Sequence, residues 1–393
     1  PRAQLSRAWK GLHQGARISM VIATPGKGRV LPMTKVKAAV CHAFGQDLRI
    51  EEITLRPPDL AEVEVRLEAV AICHSDISYM DGAWGGDLPA VYGHEAAGQI
   101  TAVGAGVTGY RVGQKVLVTL IKSCGTCGPC AGGAPVYCDG TPAAEGAITL
   151  ADGSTALKAM NCGAFAEAVV VHQSQLAPLP DDMPSDVASL LACGVITGIG
   201  AVVNTGRVRP GQNVVVIGAG GVGLNTIQGA RIAGAARIIA MDMSEDKLED
   251  ARAFGATDAL LATGDKPWEA VARITGGRMA DAVFVTVGAI PAYDQALRLL
   301  GKGGMAYAVG MPHSGAKAEY EPVIIAAVGQ GMKGSKMGDT VLARDIPWMV
   351  DMYGQGRLKL DELISGRWRL DQINEAIADT KTGHARRNVI VLS

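Results

Sequence analysis

Aromatic side chains, net charge and long apolar runs are all scarce in this sequence of 393 residues. Phe, Trp and Tyr make up 4% of it, the formal net charge at pH 7 is −1, and no run of 18 apolar residues occurs. A membrane-spanning helix needs a long apolar run, and a surface that binds nucleic acid needs clustered basic residues. We therefore predict neither a membrane nor a nucleic acid as a partner. Because 48% of the residues are hydrophobic and 19% are charged, we expect a packed globular protein of the cytoplasm.

Acidic residues are absent from positions 1–33, although this segment is basic. A transit peptide has the same charge bias, but serines are few here and the apolar residues follow no amphipathic pattern. We therefore interpret residues 1–33 as an extension without regular structure, and we expect the first domain to begin at residue 34.

Two patterns follow, and the length of the chain suits two domains. From about residue 35 to 120, short apolar or alternating runs separated by turns indicate a mainly antiparallel, partly barrel-like domain. From about residue 195, strand-like runs such as RIIAMD alternate with helical ones such as EDKLEDARAFGA, which indicates a doubly wound parallel sheet. The predicted class is α/β, with one domain of residues 34–194 and 337–393 and a second of residues 195–336.

A glycine-rich turn lies near the start of the second domain. The letters GAGGVG follow the β-branched run VVVI and precede a helical pattern, which gives a G-x-G-x-x-G motif that includes Gly218, Gly220, Gly221, Val222 and Gly223. Such a turn offers helix N-terminal N–H groups to a pyrophosphate. Asp242 ends the next strand, where a carboxylate binds both ribose hydroxyls and repels a 2′-phosphate, and Lys247 can reach the same ribose. NAD is the predicted coenzyme; the alternative is a turn without ligand, with Asp242 capping a helix.

Four of the eight cysteines lie within 15 residues, at Cys124, Cys127, Cys130 and Cys138. The spacing C-x2-C-x2-C-x7-C suits a tetrahedral zinc ion bound by four thiolates, and a site closed in this way is structural. Two alternatives stay open at this point. An iron–sulfur cluster also uses C-x2-C-x2-C, and the thiols could instead be free or paired in disulfides.

A second set of potential metal ligands is dispersed along the chain. Cys73 follows an apolar run, His94 lies in a G-H-E triplet, and Cys193 lies where the chain enters the second domain. Two thiolates and one imidazole would leave a fourth zinc position for water or substrate, as a catalytic site requires. From spacing alone, the alternative is that these are ordinary buried core residues.

In order and spacing, these motifs together resemble the zinc-containing alcohol dehydrogenase family over residues 34–393. C-H-S-D is followed by G-H-E, the four-cysteine segment, A-C-G and GAGGVG with its later aspartate. The resemblance implies a GroES-like β-barrel catalytic domain beside a Rossmann domain. It also implies two zinc ions per chain, with Cys73, His94 and Cys193 at the catalytic one and the four-cysteine lobe, residues 124–138, at the structural one.

The resemblance also implies roles for individual residues. Ser75 resembles the hydroxyl that begins a proton relay from the alcohol, and Leu120 stands in the substrate pocket where many relatives have an aromatic. Asp76 and Glu95 resemble acids behind the metal site, with Asp76 orienting His94. The remaining residues are implied at the coenzyme: His74, Thr197, Val287, Val309 and Arg387.

The implied activity is interconversion of alcohols, primary ones foremost, with aldehydes or ketones by hydride transfer to and from NAD, in a homodimer or homotetramer. Ser78 replaces the histidine that ends the relay in many animal members, so the end of the relay stays open. Residues 332–335 and 344–347 resemble the subgroup that includes glutathione- and mycothiol-linked formaldehyde dehydrogenases, which is an alternative function. A zinc-independent reductase of the same fold and a non-catalytic binding protein are the others.

Overall fold

The structure is a computed structural model that describes residues 32–140, 148–264 and 266–392. Residues 1–31, which make up nearly all of the predicted extension, lie outside the described residues, so that prediction stays untested. From Met33 onward the chain forms one compact unit.

The strands, numbered in chain order, are β1 (Thr34–Cys41), β2 (Arg49–Leu55), β3 (Glu62–Ala71), β4 (Ala90–Val91), β5 (Glu95–Val103), β6 (Lys115–Thr119), β7 (Ile148–Thr149), β8 (Thr155–Lys158), β9 (Ala168–His172), β10 (Leu176–Pro178), β11 (Asn213–Ile217), β12 (Arg237–Asp242), β13 (Asp258–Leu261), β14 (Ala280–Val285), β15 (Leu300–Ala308), β16 (Gly331–Gly334), β17 (Ile364–Arg369) and β18 (Arg387–Val391).

The α-helices are α1 (His74–Met80), α2 (Gly128–Ala131), α3 (Ser185–Ser189), α4 (Gly194–Gly200), α5 (Gly221–Ile232), α6 (Glu245–Phe254), α7 (Pro267–Ile274), α8 (Ile290–Ala296), α9 (Pro322–Val328), α10 (Leu342–Gly354) and α11 (Ile373–Lys381). Short 3-10 turns occur at Pro135–Tyr137, Ala159–Asn161, Gln173–Gln175, Leu190–Ala192, Leu297–Leu299, Met337–Asp339, Asp361–Leu363 and Leu370–Gln372, and Ala201–Gly206 is π-helical.

The first part of the chain forms a small barrel and a larger sheet. Strands β1, β2, β7, β8 and β4 close the barrel in that order, and a 7-stranded sheet runs β10-β6-β5-β3-β18-β17, with β9 also paired to β3. Most neighbours in both sheets are antiparallel, the exceptions being β4 with β8 and β17 with β18. The predicted antiparallel, barrel-like architecture is therefore confirmed, and the last strand of the chain lies beside β3.

The second part of the chain forms a six-stranded parallel sheet in the order β13-β12-β11-β14-β15-β16. All five residues of β11, NVVVI, are buried, as expected for a strand covered on both faces. The direction of winding changes between β11 and β14, and in such sheets ligands bind in the crevice at the carboxyl ends of these strands. The predicted Rossmann sheet is confirmed.

A fully buried helix connects the two parts. Helix α4 begins directly after Cys193, and all seven of its residues are buried. Glycines permit its close packing on α5, because a Cβ at Gly198 would lie 2.5 Å from the backbone oxygen of Val222. This helix therefore packs against the first turns of α5, next to the glycine-rich turn.

Across the described part of the chain, no single helix combines the length and apolar character of a membrane span. By length and composition alone, one bent pair meets that test, namely residues 185–192 with residues 194–206, which meet at 49°.

Candidate active site

Asp76 organises the residues around the dispersed metal-ligand set. Helix α1 begins after Cys73, whose backbone N–H donates to Asp76 Oδ2 at 3.1 Å. The other carboxylate oxygen, Oδ1, accepts from the backbone N–H of Gly93 at 2.9 Å and from His94 Nδ1 at 3.0 Å. Because Nδ1 donates to a carboxylate, the lone pair of the imidazole lies on Nε2 and is available to a metal.

Four side chains converge at this point. Ligand atoms of Cys73, His94, Glu95 and Cys193 all lie within 4.8 Å of one another. Within the described residues, His94 Nε2 and Glu95 Oε1 are buried and have no hydrogen-bond partner. Buried polar atoms are rarely left unpaired, so this donor set of two thiols, an imidazole and a carboxylate fits a zinc ion. The three predicted ligands are brought together, and Glu95 joins them.

The two thiols of this cluster influence each other strongly. A hydrogen bond from Cys193 holds the pKa of the Cys73 thiol well below its usual range. The same bond raises the pKa of Cys193 well above its usual range. One thiolate is thus favoured in the cluster, and thiolate is the form of cysteine that binds metal.

Glu95 connects this cluster to Arg387. Glu95 Oε2 lies 2.6 Å from Arg387 Nη2, and both side chains are buried. Burial raises the pKa of Glu95 to about 8 although Arg387 opposes the shift. The guanidinium fills the space where Gly194 has no side chain, and the Cδ atom of Arg387 lies 2.5 Å from the position that a Cβ of Gly221 would take. Arg387 therefore lies between the metal-ligand cluster and the glycine-rich turn.

The glycine-rich turn is shaped by close backbone contacts. Gly218 has φ +97°, and a Cβ there would lie 2.4 Å from Val287 Cγ1. A Cβ at Gly223 would lie 1.9 Å from the Gly218 carbonyl oxygen. Helix α5 begins at Gly221, and Gly220 has open space on its outer side. The N-terminal N–H groups of α5, including that of Val222, are thus presented as a pyrophosphate site requires.

Asp242 is held at the end of β12, beside this turn. Its Oδ2 accepts from the backbone N–H of Ala219 at 2.7 Å, and its Oδ1 accepts from that of Ser244 at 3.1 Å. The second bond forms a turn directly before α6, whose N-cap residue is Ser244, so the Asp242 side chain does not cap that helix. The first joins the carboxylate to the glycine-rich turn, which is the position that ribose recognition requires. Lys247, on α6, reaches toward Gly383.

The other predicted residues lie on several elements, and Thr197 adjoins the cluster. Thr197 Oγ1 lies 4.0 Å from Cys193 Sγ, and the Val309 backbone N–H donates to Val285 at the end of β14. His74 is the first residue of α1, and burial lowers its pKa. Leu120 packs against both the core of the barrel region and the core under α4.

The four remaining predicted ligands form a lobe of their own near α2. The Sγ atoms of Cys124, Cys127, Cys130 and Cys138 lie within 4.8 Å of one another, and the described residues contain no disulfide. Backbone N–H groups of Thr126 and Cys127 point at Cys124 Sγ and lower the pKa of that thiol to about 6. The backbone groups favour a thiolate at Cys124, and the close approach of the four Sγ atoms fits the predicted closed zinc site.

Comparison with known proteins agrees with this geometry. Residues 59–181 match the family model for the alcohol dehydrogenase GroES-like domain, and residues 221–354 match that for zinc-binding dehydrogenases. NDMA-dependent alcohol dehydrogenase of Amycolatopsis methanolica is 36% identical over 371 residues, which cover 91% of this chain and 99% of that protein. The chain belongs to the zinc-binding alcohol dehydrogenase family.

Further members of the family show how close the relationship is. S-(hydroxymethyl)glutathione dehydrogenase of Komagataella pastoris is 34% identical, with 91% of this chain and 98% of that protein covered. The crystal structure of an alcohol dehydrogenase zinc-binding domain protein from Burkholderia ambifaria superposes with a TM-score of 0.88 at 34% identity, covering 92% of this chain and 100% of that one. This chain is therefore a zinc-dependent oxidoreductase of alcohols and aldehydes that uses a nicotinamide coenzyme, with formaldehyde dehydrogenases among its relatives.

Two contacts of this alcohol dehydrogenase are not evident in its sequence. Trp84 Nε1 donates to the Pro312 carbonyl at 3.1 Å, which joins the loop after α1 to the loop after β15. Met337 Sδ lies 3.8 Å from Cys193 Sγ. None of these residues belongs to a motif, and only the three-dimensional arrangement brings Met337 to the cluster.

Proposed function

We propose that Cys73, His94 and Cys193 hold the catalytic zinc and that the reaction at this site is oxidation of a primary alcohol by NAD, with aldehyde reduction as the reverse. The observation that carries the proposal is the buried, unpartnered Nε2 of His94, which points into a cluster containing two thiols. Through Glu95 and Arg387, the same cluster is connected to the glycine-rich turn. A metal site and a dinucleotide site therefore adjoin each other.

The chain's own residues supply position and proton transfer. Zinc, when bound, supplies Lewis acidity that lowers the pKa of an alcohol. Ser75, whose Oγ lies 3.7 Å from Cys73 Sγ, is placed to accept the alcohol proton and pass it on. Asp76 fixes the ring of His94, and Thr197 backs the nicotinamide while Asp242 binds the adenosine ribose. We further propose that the domains of residues 34–194 with 337–393 and of residues 195–336 enclose this site and exclude water.

A panel of primary and secondary alcohols, assayed with NAD on zinc-loaded and on zinc-stripped protein, tests the proposal. We expect turnover of primary alcohols that is lost on stripping and restored by zinc. Turnover that persists without zinc would favour a zinc-independent reductase. Stoichiometric zinc and NAD binding without turnover of any alcohol would favour a non-catalytic binding protein.

A thiol adduct of formaldehyde is the second candidate substrate. The relative from Komagataella pastoris, named for S-(hydroxymethyl)glutathione, is nearly as similar to this chain as the NDMA-dependent enzyme is. The same panel therefore includes formaldehyde with glutathione and formaldehyde with mycothiol. A thiol-dependent rate that exceeds the rate on every simple alcohol would select this second function.

Coenzyme choice should be NAD over NADP because of Asp242. A 2′-phosphate would lie against the Asp242 carboxylate, and two such charges about 4 Å apart at an effective dielectric constant near 20 repel by about 4 kcal/mol. Even half of that repulsion corresponds to more than a tenfold preference for NAD, since about 1.4 kcal/mol is a factor of ten in affinity. We expect Asp242→Ser to lose NAD efficiency and to gain NADP efficiency, measured as kcat/KM for each coenzyme.

The control for that experiment is Asp246→Ser, which removes an exposed carboxylate from the first turn of α6. Its coenzyme ratio should match that of the parent. A parent that prefers NADP, or an Asp242→Ser ratio equal to the control's, would remove Asp242 from this role. Lys247 attracts a phosphate but lies one turn further along, so it should not reverse the preference.

We also propose that the chain acts as a homodimer or homotetramer. The residues of α9 are all at least partly exposed, among them Val323 and Ile324, and nearby Tyr320 and Met332 are exposed as well. Met332 lies in β16, the edge strand of the parallel sheet, and α9 directly precedes that strand in the chain. An apolar face beside an open sheet edge is typical of a subunit interface. Light scattering of the purified protein measures the number of subunits. The cytoplasmic location stays a prediction from sequence.

A further inference from the structure

A turn of three residues in left-handed backbone conformation lies beside the candidate active site. Met337, Gly338 and Asp339 have φ values of +50°, +63° and +47°. Gly338 has no room for a side chain, because a Cβ there would lie 2.3 Å from the Ile196 carbonyl oxygen in α4. Residues other than glycine rarely adopt this conformation, and they keep it only where surrounding contacts hold them.

The first residue of this turn reaches both halves of the proposed site. Met337 Sδ lies 3.8 Å from Cys193 Sγ, a proposed zinc ligand, and 3.7 Å from Thr197 Oγ1, the residue proposed to back the nicotinamide. The turn also follows β16 and therefore lies at the carboxyl edge of the parallel sheet, where the coenzyme is expected. A shift of Met337 would thus change its contacts with Thr197 and with Cys193 at the same time.

The last residue of the turn is tied to the four-cysteine lobe. Asp339 Oδ1 accepts from the Tyr137 hydroxyl at 2.8 Å, and Tyr137 directly precedes Cys138. Asp339 Oδ2 accepts from Thr205 Oγ1, a buried hydroxyl next to α4, at 2.9 Å. In addition, Lys336 Nζ lies 5.7 Å above the Tyr137 ring. One carboxylate therefore joins the lobe, the π-helical segment that follows α4 and the strained turn.

We propose that the four-cysteine lobe positions Met337 for nicotinamide binding, acting through Tyr137 and Asp339. Tyr137 and Asp339 are positioning residues, and Met337 is the residue in contact with the site. The lobe then has a second role besides its contribution to folding stability, because it holds the turn Met337–Asp339 in a backbone conformation that is unfavourable by itself. This inference rests on the proposed function, since it takes the nicotinamide to lie beside Thr197.

The test is the dissociation constant of NADH, measured by fluorescence titration of the full zinc-loaded chain. Tyr137→Phe removes only the hydroxyl that Asp339 accepts from. A single hydrogen bond contributes modestly to stability, and only part of the energy lost with it reaches Met337 and the NADH site. We therefore expect the dissociation constant of NADH to rise roughly threefold to tenfold. Zinc content should stay at the parent value, and the KM for NAD should rise more than kcat falls.

Two further variants separate positioning from a general structural effect. Tyr353→Phe is the matched control, because the Tyr353 hydroxyl also lies beside a carboxylate, that of Asp361 in the 3-10 turn Asp361–Leu363. It should leave NADH binding unchanged. Asp339→Asn keeps an oxygen acceptor in a residue type that tolerates positive φ, so it should retain most of the affinity.

A double-variant cycle shows whether Tyr137 acts through Asp339. Asp339→Gly keeps the left-handed backbone and removes the acceptor, so Tyr137→Phe should add nothing in that background. If the two effects are additive, or if Tyr137→Phe binds NADH as tightly as the parent, the inference is wrong while the proposed function stands. A parent that does not bind NADH would overturn the proposed function, and this inference with it.

Discussion

Replacing Ser75 by alanine should reduce the rate of alcohol oxidation by about 10²–10⁴-fold, the usual contribution of a positioned proton-transfer group. Ser75 lies on the first turn of α1, and its Oγ is 3.7 Å from Cys73 Sγ, so the hydroxyl is next to a proposed zinc ligand. Without it, the alcohol proton has no side-chain acceptor at the start of the relay. The measurement is kcat/KM for a primary alcohol with NAD at saturating coenzyme.

Ser78→Ala is the matched control for this loss, because it removes the same group from the same helix one turn later. It should cost much less than Ser75→Ala, and Ser75→Thr should restore a substantial part of the rate by returning a hydroxyl. Zinc content should be equal in all three variants, since neither serine is a proposed ligand. Equal losses at Ser75 and Ser78 would show that the relay runs through Ser78 and would contradict the assignment.

Replacing Cys127 by serine should reduce the stability of the protein severely. Structural zinc sites supply folding free energy directly, on the order of 10 kcal/mol or more in zinc-finger peptides, and removing one of four thiolates forfeits much of it. A loss of about 5 kcal/mol corresponds to a drop of roughly 10–20 °C in the melting temperature of a domain of 150–250 residues. Calorimetry of the parent and the variant measures the melting temperature. Elemental analysis should show that the zinc content falls from two ions per chain toward one.

Cys41→Ala provides the comparison, because Cys41 is a buried cysteine of β1 that belongs to neither cluster. It should show only the modest cost of a small core truncation and should keep both zinc ions. An unchanged melting temperature for Cys127→Ser would mean that the lobe is not a zinc site. Iron instead of zinc in the parent would support the iron–sulfur alternative.

The nucleotide-binding elements were predictable because their signals are local. The run RIIAMD is β12 residue for residue, and the helical run after Ser244 is α6. The G-x-G-x-x-G motif needs only its own neighbours, a strand before and a helix after, to define a turn. The cysteine lobe is equally local, since its four cysteines lie within 15 residues.

The convergence of the proposed zinc ligands was predictable only through family resemblance. Cys73, His94 and Cys193 are far apart in sequence, and their convergence depends on α1, β5 and α4 meeting in space. Helix α4 itself was missed, because its glycines and apolar residues give no amphipathic period when every face is buried. The ion pair between Glu95 and Arg387 depends in the same way on β5 and β18 lying in one sheet.

The most direct test of the central claim follows the hydride itself. A primary alcohol deuterated at its carbinol carbon is incubated with NAD and the zinc-loaded chain, and the coenzyme is recovered and its label located. We expect deuterium at C4 of the nicotinamide with the parent, and no labelled NADH with His94→Ala, which lacks the imidazole that faces the proposed metal position. Unlabelled NADH from the parent, or equal labelling by His94→Ala, would contradict alcohol oxidation at the Cys73, His94 and Cys193 site.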